Sequence, residues 1–402
     1  MSEHMSKQDI EQALSGMLAH AATHSPYYRK LAWAKSMRGG ARVALKNIPV
    51  TRKSIVRDET ARFYIDDVPP SEGQVMTNLT SGSTGEPMAL RQTVRWLRIA
   101  QAELARLVRG WGYQSHLRAV RVDNPTSKHA PGTILEKSQK RGRLWMLHTV
   151  DTREAFEFVK ETGASRLDAH PTMTLGILQH GADMGVRLPL KLVTTTSEII
   201  PEHLRGLIST LPGCRLADKY ATMETGVIAM QCPSCGAYHP ADGHLILEIL
   251  DDSDRPVRPG KMGKVVVTAL FNRAMPLIRY ETGDYAIVAK NHQCRHSSSS
   301  LASIAGREKN LFKKPNGERI VPRLNPVPLV EFGLRHFKLV QRTLTEIEFQ
   351  YVHKDPAAEL SQERAQAIVE ESMGSGFKVI CRKVSEMPRT AKGKYLMHES
   401  LV

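Results

Sequence analysis

A short loop rich in hydroxyl groups and glycine is the first candidate for chemistry. It runs NLTSGSTGEP from Asn78 to Pro87. Its hydroxyl side chains belong to Thr80, Ser81, Ser83 and Thr84, and its glycines are Gly82 and Gly85. Glycines permit turns in which successive backbone N–H groups point at one anion. No Gly-Lys-Ser/Thr ending of a Walker P-loop follows. Two interpretations stay open, a phosphate-binding loop and a Ser/Gly linker.

Three cysteines and a histidine have the spacing of a metal site. Cys232-x2-Cys235-x3-His239 forms one segment, and Cys294 follows later in the chain. Thiolates and imidazoles are common ligands of tetrahedral Zn²⁺ in structural sites. With five cysteines and no export signal, a reducing cytoplasm is expected. In that environment, clustered cysteines indicate a metal site rather than a disulfide. The alternative is a group of reduced surface thiols.

Four further motifs follow the loop in a fixed order. They are YATMETG (Tyr220–Gly226), RYETGD (Arg279–Asp284), GREKN (Gly306–Asn310) and RTAKGK (Arg389–Lys394). With TSGSTGEP, they resemble the motifs of the adenylate-forming superfamily of acyl-CoA synthetases, luciferases and peptide-synthetase adenylation domains. The early segments PYYR (Pro26–Arg29) and IPVTRKS (Ile48–Ser54) are similar to the phenylacetate-CoA ligase branch. The resemblance covers nearly the whole chain.

The resemblance implies a role for each motif. The loop from Thr80 to Gly85 would bind ATP phosphates. Tyr220 would stack on adenine and border the substrate, and Glu224 would hold Mg²⁺. Asp284 would accept both ribose hydroxyls, and Arg307 would meet ribose or phosphate. Lys394 would bring positive charge to the reacting α-phosphate.

Two more segments gain candidate roles from the same resemblance. Ser197 and Glu198, in TTTSE, lie where the family binds beside adenine, and His170 and Pro171, in HPTM, lie where it lines the acyl pocket. A buried, hydrogen-bonded histidine is an equal alternative for His170. Part of the branch carries cysteines and a histidine at the two metal-ligand segments, which favours zinc.

The sequence departs from the family pattern at four positions. Met223 stands where a hydroxyl residue is usual, and Glu86 replaces a common lysine in the first loop. Glu308 and Lys309 occupy a hinge where aspartate is common. These departures bear on the rate of adenylation.

The implied activity is ATP-dependent activation of an aryl or arylacetic acid through acyl-AMP, with transfer to coenzyme A. The reaction would use ATP and Mg²⁺, with coenzyme A as a co-substrate. A structural Zn²⁺ would stabilise the fold. One alternative is an amide or ester synthetase that uses an amine or hydroxyl acceptor. A second is a basic nucleic-acid-binding protein, since the formal net charge is +15. No nucleic-acid motif is visible, so no such partner is expected.

The segments between the motifs predict an α/β fold. Helical stretches at 91–110, 152–163, 172–185 and 202–211 alternate with short β-prone runs, which favours largely parallel strands. A β-rich appendage follows from Gly243, and a small α+β unit follows from about Leu311. We therefore predict a large N-terminal ATP- and acyl-binding domain at 1–307 and a mobile C-terminal domain at 308–402.

Composition limits the class of protein. The 402 residues are 41% hydrophobic, which is enough for a buried core, and no apolar run is long enough to span a bilayer. The N-terminal segment predicts an amphipathic helix carrying Ile10, Leu14, Met17 and Leu18. We expect a cytoplasmic enzyme without a membrane span, and a homodimer is compatible with the sequence.

Overall fold

A computed structural model describes most of the chain. It covers residues 5–38, 44–80, 87–110, 118–126, 128–139, 142–198, 200, 202–290, 294, 300–322, 324, 329, 332–387 and 397–402. The chain divides into two compact units. One comprises Met1–Gln114 and Lys219–Ile304, and the other comprises Ser115–Asp218 and Ala305–Val402. The domain boundary predicted at 307/308 stays a prediction.

The described part of the chain contains eight α-helices. They are α1 (Lys7–His24), α2 (Ala32–Arg38), α3 (Lys53–Asp58), α4 (Val94–Gly110), α5 (Thr152–Thr162), α6 (Pro171–Asp183), α7 (Glu202–Ser209) and α8 (Gln362–Met373). Short 3₁₀ helices lie at Tyr28–Lys30, Leu45–Asn47, Thr60–Phe63, Pro70–Glu72 and Glu308–Asn310.

Twenty strands accompany these helices in the described residues. The first ten are β1 (Val75–Leu79), β2 (Ala89–Thr93), β3 (Ala119–Asp123), β4 (Thr133–Gln139), β5 (Gly142–His148), β6 (Arg166–Asp168), β7 (Leu192–Thr196), β8 (Arg215–Thr222), β9 (Gly226–Gln231) and β10 (Tyr238–Pro240). The others are β11 (Leu245–Leu250), β12 (Met262–Ala269), β13 (Tyr280–Val288), β14 (Leu301–Arg307), β15 (Phe312–Lys313), β16 (Arg319–Ile320), β17 (Leu334–Thr343), β18 (Glu346–His353), β19 (Lys378–Lys383) and β20 (His398–Ser400).

The first unit is built on antiparallel strands. β8 pairs with β9, β9 with β10, β11 with β12 and β12 with β13, all antiparallel. One core collects buried residues such as Ile228, Val265 and Val267 from these strands. A second core joins the helix α1 to the segment before β13 through residues that include Leu18 and Ile278.

The second unit contains the parallel strands that the sequence predicts. β3 pairs in parallel with β5 and β6, and β6 pairs in parallel with β7. The antiparallel strand β4 lies against β5. Phe156 of α5 and Ile177 of α6 are fully buried in one core with the strand residue Val120. Helices packed on parallel strands by such apolar residues form an α/β layer, as the alternating pattern predicts.

The C-terminal residues form a small α+β arrangement. Its sheet has the order β19-β18-β17-β20, with an antiparallel hairpin of β17 and β18. The helix α8 starts after Ser361, whose hydroxyl accepts a hydrogen bond from the N–H of Arg364. Phe349 and Val369 are buried in its core. These elements confirm the small α+β unit that the sequence predicts after about Leu311.

One predicted boundary was wrong. The apolar pattern predicts a helix from Arg91, but Arg91 belongs to β2 and pairs with Thr77 of β1. The helix α4 begins at Val94, because the hydroxyl of Thr93 accepts a hydrogen bond from the N–H of Trp96. Among the described helices, none is both long and apolar enough to cross a bilayer.

Candidate active site

Glu224 lies in a tight turn between β8 and β9. The hydroxyl of Thr222 accepts a 3.2 Å hydrogen bond from the N–H of Thr225, and the two hydroxyls are 2.8 Å apart. Gly226 closes the turn at φ 74°, a left-handed conformation that favours glycine. A Cβ there would lie 3.4 Å from Cζ2 of Trp96. Backbone and hydroxyl contacts thus fix Glu224, which is 7% exposed.

The carboxylate of Glu224 is paired with a cation and a phenol. Nζ of Lys53 lies 3.0 Å from Oε1, and the hydroxyl of Tyr280 donates to the same oxygen over 3.1 Å. A buried charge needs such partners, because burial without them is costly. Sequence reasoning assigned no role to Lys53 or Tyr280, although both lie in the quoted motifs IPVTRKS and RYETGD.

A second carboxylate is held by a tyrosine in the same unit. The hydroxyl of Tyr220 donates a 2.8 Å hydrogen bond to Oδ2 of Asp284 and lies 3.5 Å from Oγ1 of Thr282. Burial, followed by the negative charge of Asp284, raises the pKa of Tyr220 well above its usual range. The phenol therefore stays a hydrogen-bond donor. The structure brings these two predicted site residues into direct contact.

Thr282 connects the two carboxylates. Its backbone carbonyl accepts a 3.0 Å hydrogen bond from Nζ of Lys53, and its hydroxyl lies beside Tyr220. A continuous chain of polar contacts thus runs from Asp284 through Tyr220, Thr282 and Lys53 to Glu224. Two carboxylates fixed by donors can present oxygens to hydroxyl groups or to a hard cation.

The hairpin of β1 and β2 contacts the turn that carries Glu224. The N–H of Thr80 donates to the carbonyl of Met88 over 2.8 Å, and the hydroxyl of Thr80 accepts from the N–H of Met88. Nε2 of Gln92 donates a 2.6 Å hydrogen bond to the carbonyl of Met223, next to Glu224. Gln92, which pairs with Met76 of β1, therefore ties the hairpin to the turn of Glu224. Met223 itself is 45% exposed.

The other loop residues predicted to bind ATP lie outside the described residues. They are Ser81, Gly82, Ser83, Thr84 and Gly85. Lys394 lies outside them as well. Arg307 is half-buried at the end of β14, and the adjacent Glu308 pairs with Arg319 over 2.9 Å.

In the second unit, the ends of β6 and β7 meet at the start of α6. His170 precedes α6, Pro171 is its first residue, and Nδ1 of His170 lies 3.1 Å from the carbonyl of Thr196. Oε2 of Glu198 accepts hydrogen bonds from the N–H and hydroxyl of Thr172, at 3.1 and 2.8 Å. Helix N-termini favour such a carboxylate. The two predicted segments, HPTM and TTTSE, thus lie in contact.

Ser197 has a strained backbone at this junction. Its φ is 73°, which is uncommon for a residue with a side chain. Such strain persists only where the surroundings enforce it, and it clusters at functional sites. The contacts of His170 and Glu198 enforce it on both sides. Parallel strands bring their carboxyl ends to one edge, where ligands of open α/β sheets bind.

The four predicted metal ligands converge in the first unit. The ligand atoms of Cys232, Cys235, His239 and Cys294 all lie within 4.8 Å of one another. Cys232 and His239 are buried, and Sγ of Cys235 is 3.3 Å from Nε2 of His239. The strands β9 and β10 hold the first three in a tight hairpin, because Cys232 and Ala237 share a 2.8 Å backbone hydrogen bond. Thiolate and imidazole donors in this arrangement fit Zn²⁺.

The Cys235 thiol keeps its proton while no cation is bound. Burial, together with hydrogen bonds to Cys232 and Cys294, raises the pKa of the Cys235 thiol to about 12. A zinc ion reverses this tendency, since a coordinating thiol is deprotonated outright. The cluster lies at the far end of β9 from Glu224, so a bound ion would brace the strand that carries the turn of Glu224.

Comparisons with known proteins agree with this geometry. No family model matches the chain. A phenylacetate-coenzyme A ligase of Thermus thermophilus is 23% identical in an alignment 438 residues long, which covers 96% of this chain and 94% of the relative. A second, from Aromatoleum evansii, is 22% identical and covers 84% of this chain and 77% of the relative. The crystal structure of a 2-hydroxyisobutyryl-CoA ligase in its postadenylation state superposes with a TM-score of 0.75. That likeness covers 99% of this chain and 91% of the ligase at 18% identity.

The chain has the adenylate-forming ligase fold. The resemblance to the phenylacetate-CoA ligase branch is confirmed along nearly the whole chain. Within the adenylate-forming fold, the structure adds Lys53 and Tyr280 to the predicted residue Glu224. It also pairs Tyr220 with Asp284. The binding roles predicted for the individual residues stay predictions.

Proposed function

We propose that the chain is an AMP-forming ligase that activates a carboxylic acid with ATP and transfers it to coenzyme A. A carboxylate oxygen attacks the α-phosphorus, the bond to the pyrophosphate oxygen breaks, and acyl-AMP and pyrophosphate form. The thiolate of coenzyme A then attacks the acyl carbon, and AMP leaves. The observation that carries the proposal is the linked pair of carboxylates, Glu224 and Asp284, within the adenylate-forming fold.

Asp284 and Tyr220 form the proposed nucleoside site. The ionised carboxylate of Asp284 would accept the ribose hydroxyls, and the hydrogen bond from Tyr220 fixes its orientation. The ring of Tyr220 would offer a flat face to adenine. Ser197 and Glu198 would border the base, and Arg307 would reach ribose or phosphate.

Glu224 is the proposed ligand of Mg²⁺. Its carboxylate offers the hard oxygen donors that this ion prefers, and the turn between β8 and β9 holds it in place. Both protein contacts described for Glu224 are made to Oε1. When bound, Mg²⁺ would neutralise the negative charge of the phosphates. The hydrogen bond from Tyr280 would orient the carboxylate for this task.

Lys394 and the hydroxyl-rich loop complete the proposed phosphate site. The loop from Thr80 to Gly85 would surround the β- and γ-phosphates with hydroxyl and N–H donors. Lys394 would place its charge at the α-phosphate during adenylation. We assign the second half-reaction to an arrangement in which the domain at 308–402 has moved Lys394 away.

We assign an aryl or arylacetic acid as the substrate class. Support comes from the two relatives named phenylacetate-coenzyme A ligase, which match most of this chain. His170 and Pro171 would border the acyl group. The hydrogen bond between His170 and the carbonyl of Thr196 requires a proton on Nδ1, which leaves Nε2 as an acceptor in the neutral ring.

We assign a structural Zn²⁺ to Cys232, Cys235, His239 and Cys294. The closeness of the four ligand atoms and their chemistry support this assignment. The ion would stabilise the β9–β10 hairpin and take no part in the reaction. A cytoplasmic location suits the site, because reducing conditions keep these thiols available to a metal.

A panel of carboxylic acids, assayed for pyrophosphate release from MgATP, tests the proposed function. We expect acid-dependent release that is greatest with aryl or arylacetic acids and weaker with short aliphatic acids. Purified acyl-AMP, offered with coenzyme A, an amine or an alcohol, then identifies the acceptor. Transfer to an amine alone would replace the ligase assignment with an amide synthetase. Release that no acid stimulates would contradict carboxylate activation.

A further inference from the structure

Lys53 is fixed in place by a ladder that joins two distant segments. The N–H of Thr51 donates to the carbonyl of Arg279 over 2.8 Å, and the N–H of Glu281 donates to the carbonyl of Thr51 over 3.0 Å. The hydroxyl of Thr51 adds a 2.9 Å hydrogen bond to the carbonyl of Ile278. These bonds set the start of α3 against β13, so Lys53 enters the carboxylate cluster from a defined backbone position.

The side chain of Lys53 has partners on one side and solvent on the other. Its Nζ lies 3.0 Å from both Oε1 of Glu224 and the carbonyl of Thr282. Its stem passes Gly283, where a Cβ would lie 3.4 Å from Cδ of Lys53. The lysine side chain is 31% exposed, whereas that of Glu224 is 7% exposed. An ammonium has three donors, so this cation can reach an anion arriving from solvent.

The neighbouring cation provides a contrast. Arg52 directs its guanidinium away from Glu224, to Asp254 at 2.8 Å and to Glu281 at 3.0 Å. Both of these partners are carboxylates outside the cluster. The two adjacent cations therefore contact different carboxylates. Of the two, only Lys53 contacts Glu224.

The hairpin of β1 and β2 contacts the turn that carries Glu224, the partner of Lys53. Gln92 of β2 donates to the carbonyl of Met223, and Thr80 closes the same hairpin. A triphosphate bound through Mg²⁺ at Glu224, as proposed above, would lie at this turn beside Lys53. A negative carboxylate alone would repel it, and the positive charge of Lys53 offsets this repulsion.

We infer that Lys53 binds the β- and γ-phosphates of the nucleotide. The inference rests on the proposed function and names a phosphate ligand that sequence reasoning did not assign. Lys53 turns from Glu224 to the phosphates, while Glu224 keeps the hydrogen bond from Tyr280. AMP lacks these two phosphates, so Lys53 distinguishes ATP from AMP.

Equilibrium binding of ATP and of AMP to the purified protein, measured by calorimetry with a metal chelator present, tests the inference. Lys53→Met should weaken ATP binding by about tenfold or more, because a charge-assisted hydrogen bond is lost. AMP lacks the phosphates that Lys53 would bind, so AMP binding should change by less than about twofold. Lys53→Arg should retain most of the ATP affinity. Arg52→Met, which removes an equal charge one residue away, should leave both affinities near the wild-type values.

Each other outcome has a definite meaning. Equal weakening of ATP and AMP would show that Lys53 only maintains the fold and would overturn the inference. The same ATP loss in Arg52→Met would assign the effect to net charge and overturn it too. Unchanged ATP binding in Lys53→Met would overturn the inference alone. A wild-type protein that binds neither nucleotide would overturn it together with the proposed function.

Discussion

The hydroxyl of Tyr220 lies 2.8 Å from Oδ2 of Asp284 and donates a hydrogen bond to it. The two residues belong to motifs about sixty positions apart, and the antiparallel strands of the first unit bring them together. Burial keeps the pKa of Tyr220 high, so the donor persists throughout the neutral range. Orientation of the proposed ribose-binding carboxylate therefore depends on this phenol.

Removal of that donor should weaken ATP binding more than it slows chemistry. Tyr220→Phe keeps the ring but loses a hydrogen bond to a charged group, worth about 1.5–3 kcal/mol. We expect a higher KM for ATP with kcat largely retained, because ribose contacts act equally in the ground and transition states. Asp284→Ala should show the same pattern more strongly. Steady-state kinetics with varied ATP measure both.

The control for this prediction is Tyr64→Phe. The hydroxyl of Tyr64 donates a 2.7 Å hydrogen bond to the carbonyl of Ala89, outside the carboxylate cluster. This variant should lose stability without a change in the KM for ATP. Equal KM values for Tyr220→Phe and wild type would remove Tyr220 from the site.

Replacement of Glu224 by glutamine should abolish most of the adenylation activity. Glutamine keeps an oxygen for the hydrogen bond from Tyr280, so the fold should persist, but it loses the charge proposed to bind Mg²⁺. We expect kcat for acid-dependent pyrophosphate release to fall about a hundredfold or more. Glu281→Gln, on the neighbouring strand β13, removes the same charge from a residue that pairs with Arg52 and serves as the control. Unchanged release in Glu224→Gln would exclude a role in the reaction.

Purified protein should contain one zinc ion per chain. Its removal by a strong chelator should expose the thiols of Cys232, Cys235 and Cys294 to titration and lower the melting temperature. Elemental analysis, thiol titration and thermal unfolding measure these effects. His239→Ala should lower the zinc content, whereas Cys381→Ser, in β19 of the second unit, should not. Absence of zinc together with freely titratable thiols in the untreated protein would rule the site out.

Lys394 should be required for one half-reaction only. Its charge is useful while the α-phosphate is under attack, and the proposed domain motion then removes it. Lys394→Ala should lower acid-dependent pyrophosphate release by about two orders of magnitude or more. The same variant, given purified acyl-AMP and acceptor, should transfer the acyl group at a rate close to wild type. Loss of both half-reactions would argue against domain alternation. Loss of neither would show that Lys394 has no role in the reaction and is an ordinary solvated side chain.

Helices could be predicted because their signals are local. The helix α5 has Phe156 and Val159 on one face, Asp151 accepts hydrogen bonds from its first N–H groups, and Gly163 ends it at φ 57°. The C-x2-C-x3-His segment is equally local, and only the position of Cys294 depends on tertiary structure. These features need no knowledge of the rest of the fold.

Contacts between distant segments could not be predicted in this way. Lys53 and Glu224 are 171 positions apart, and their contact depends on the ladder between Thr51 and β13. No periodicity in either segment indicates that ladder. The strand β2 was missed for a related reason, because Arg91 pairs with Thr77 across the loop, while its apolar neighbours fit a helical pattern.

Oxygen transfer from the acid to AMP tests the central claim most directly. An acid labelled with ¹⁸O in its carboxylate, incubated with MgATP and coenzyme A, is converted to products that are analysed by mass spectrometry. Attack of the carboxylate on the α-phosphorus and release of AMP by the thiol leave one carboxylate oxygen on AMP. We predict one ¹⁸O in AMP and none in pyrophosphate. Label in inorganic phosphate, with ADP as the nucleotide product, or AMP without label would contradict activation through acyl-AMP.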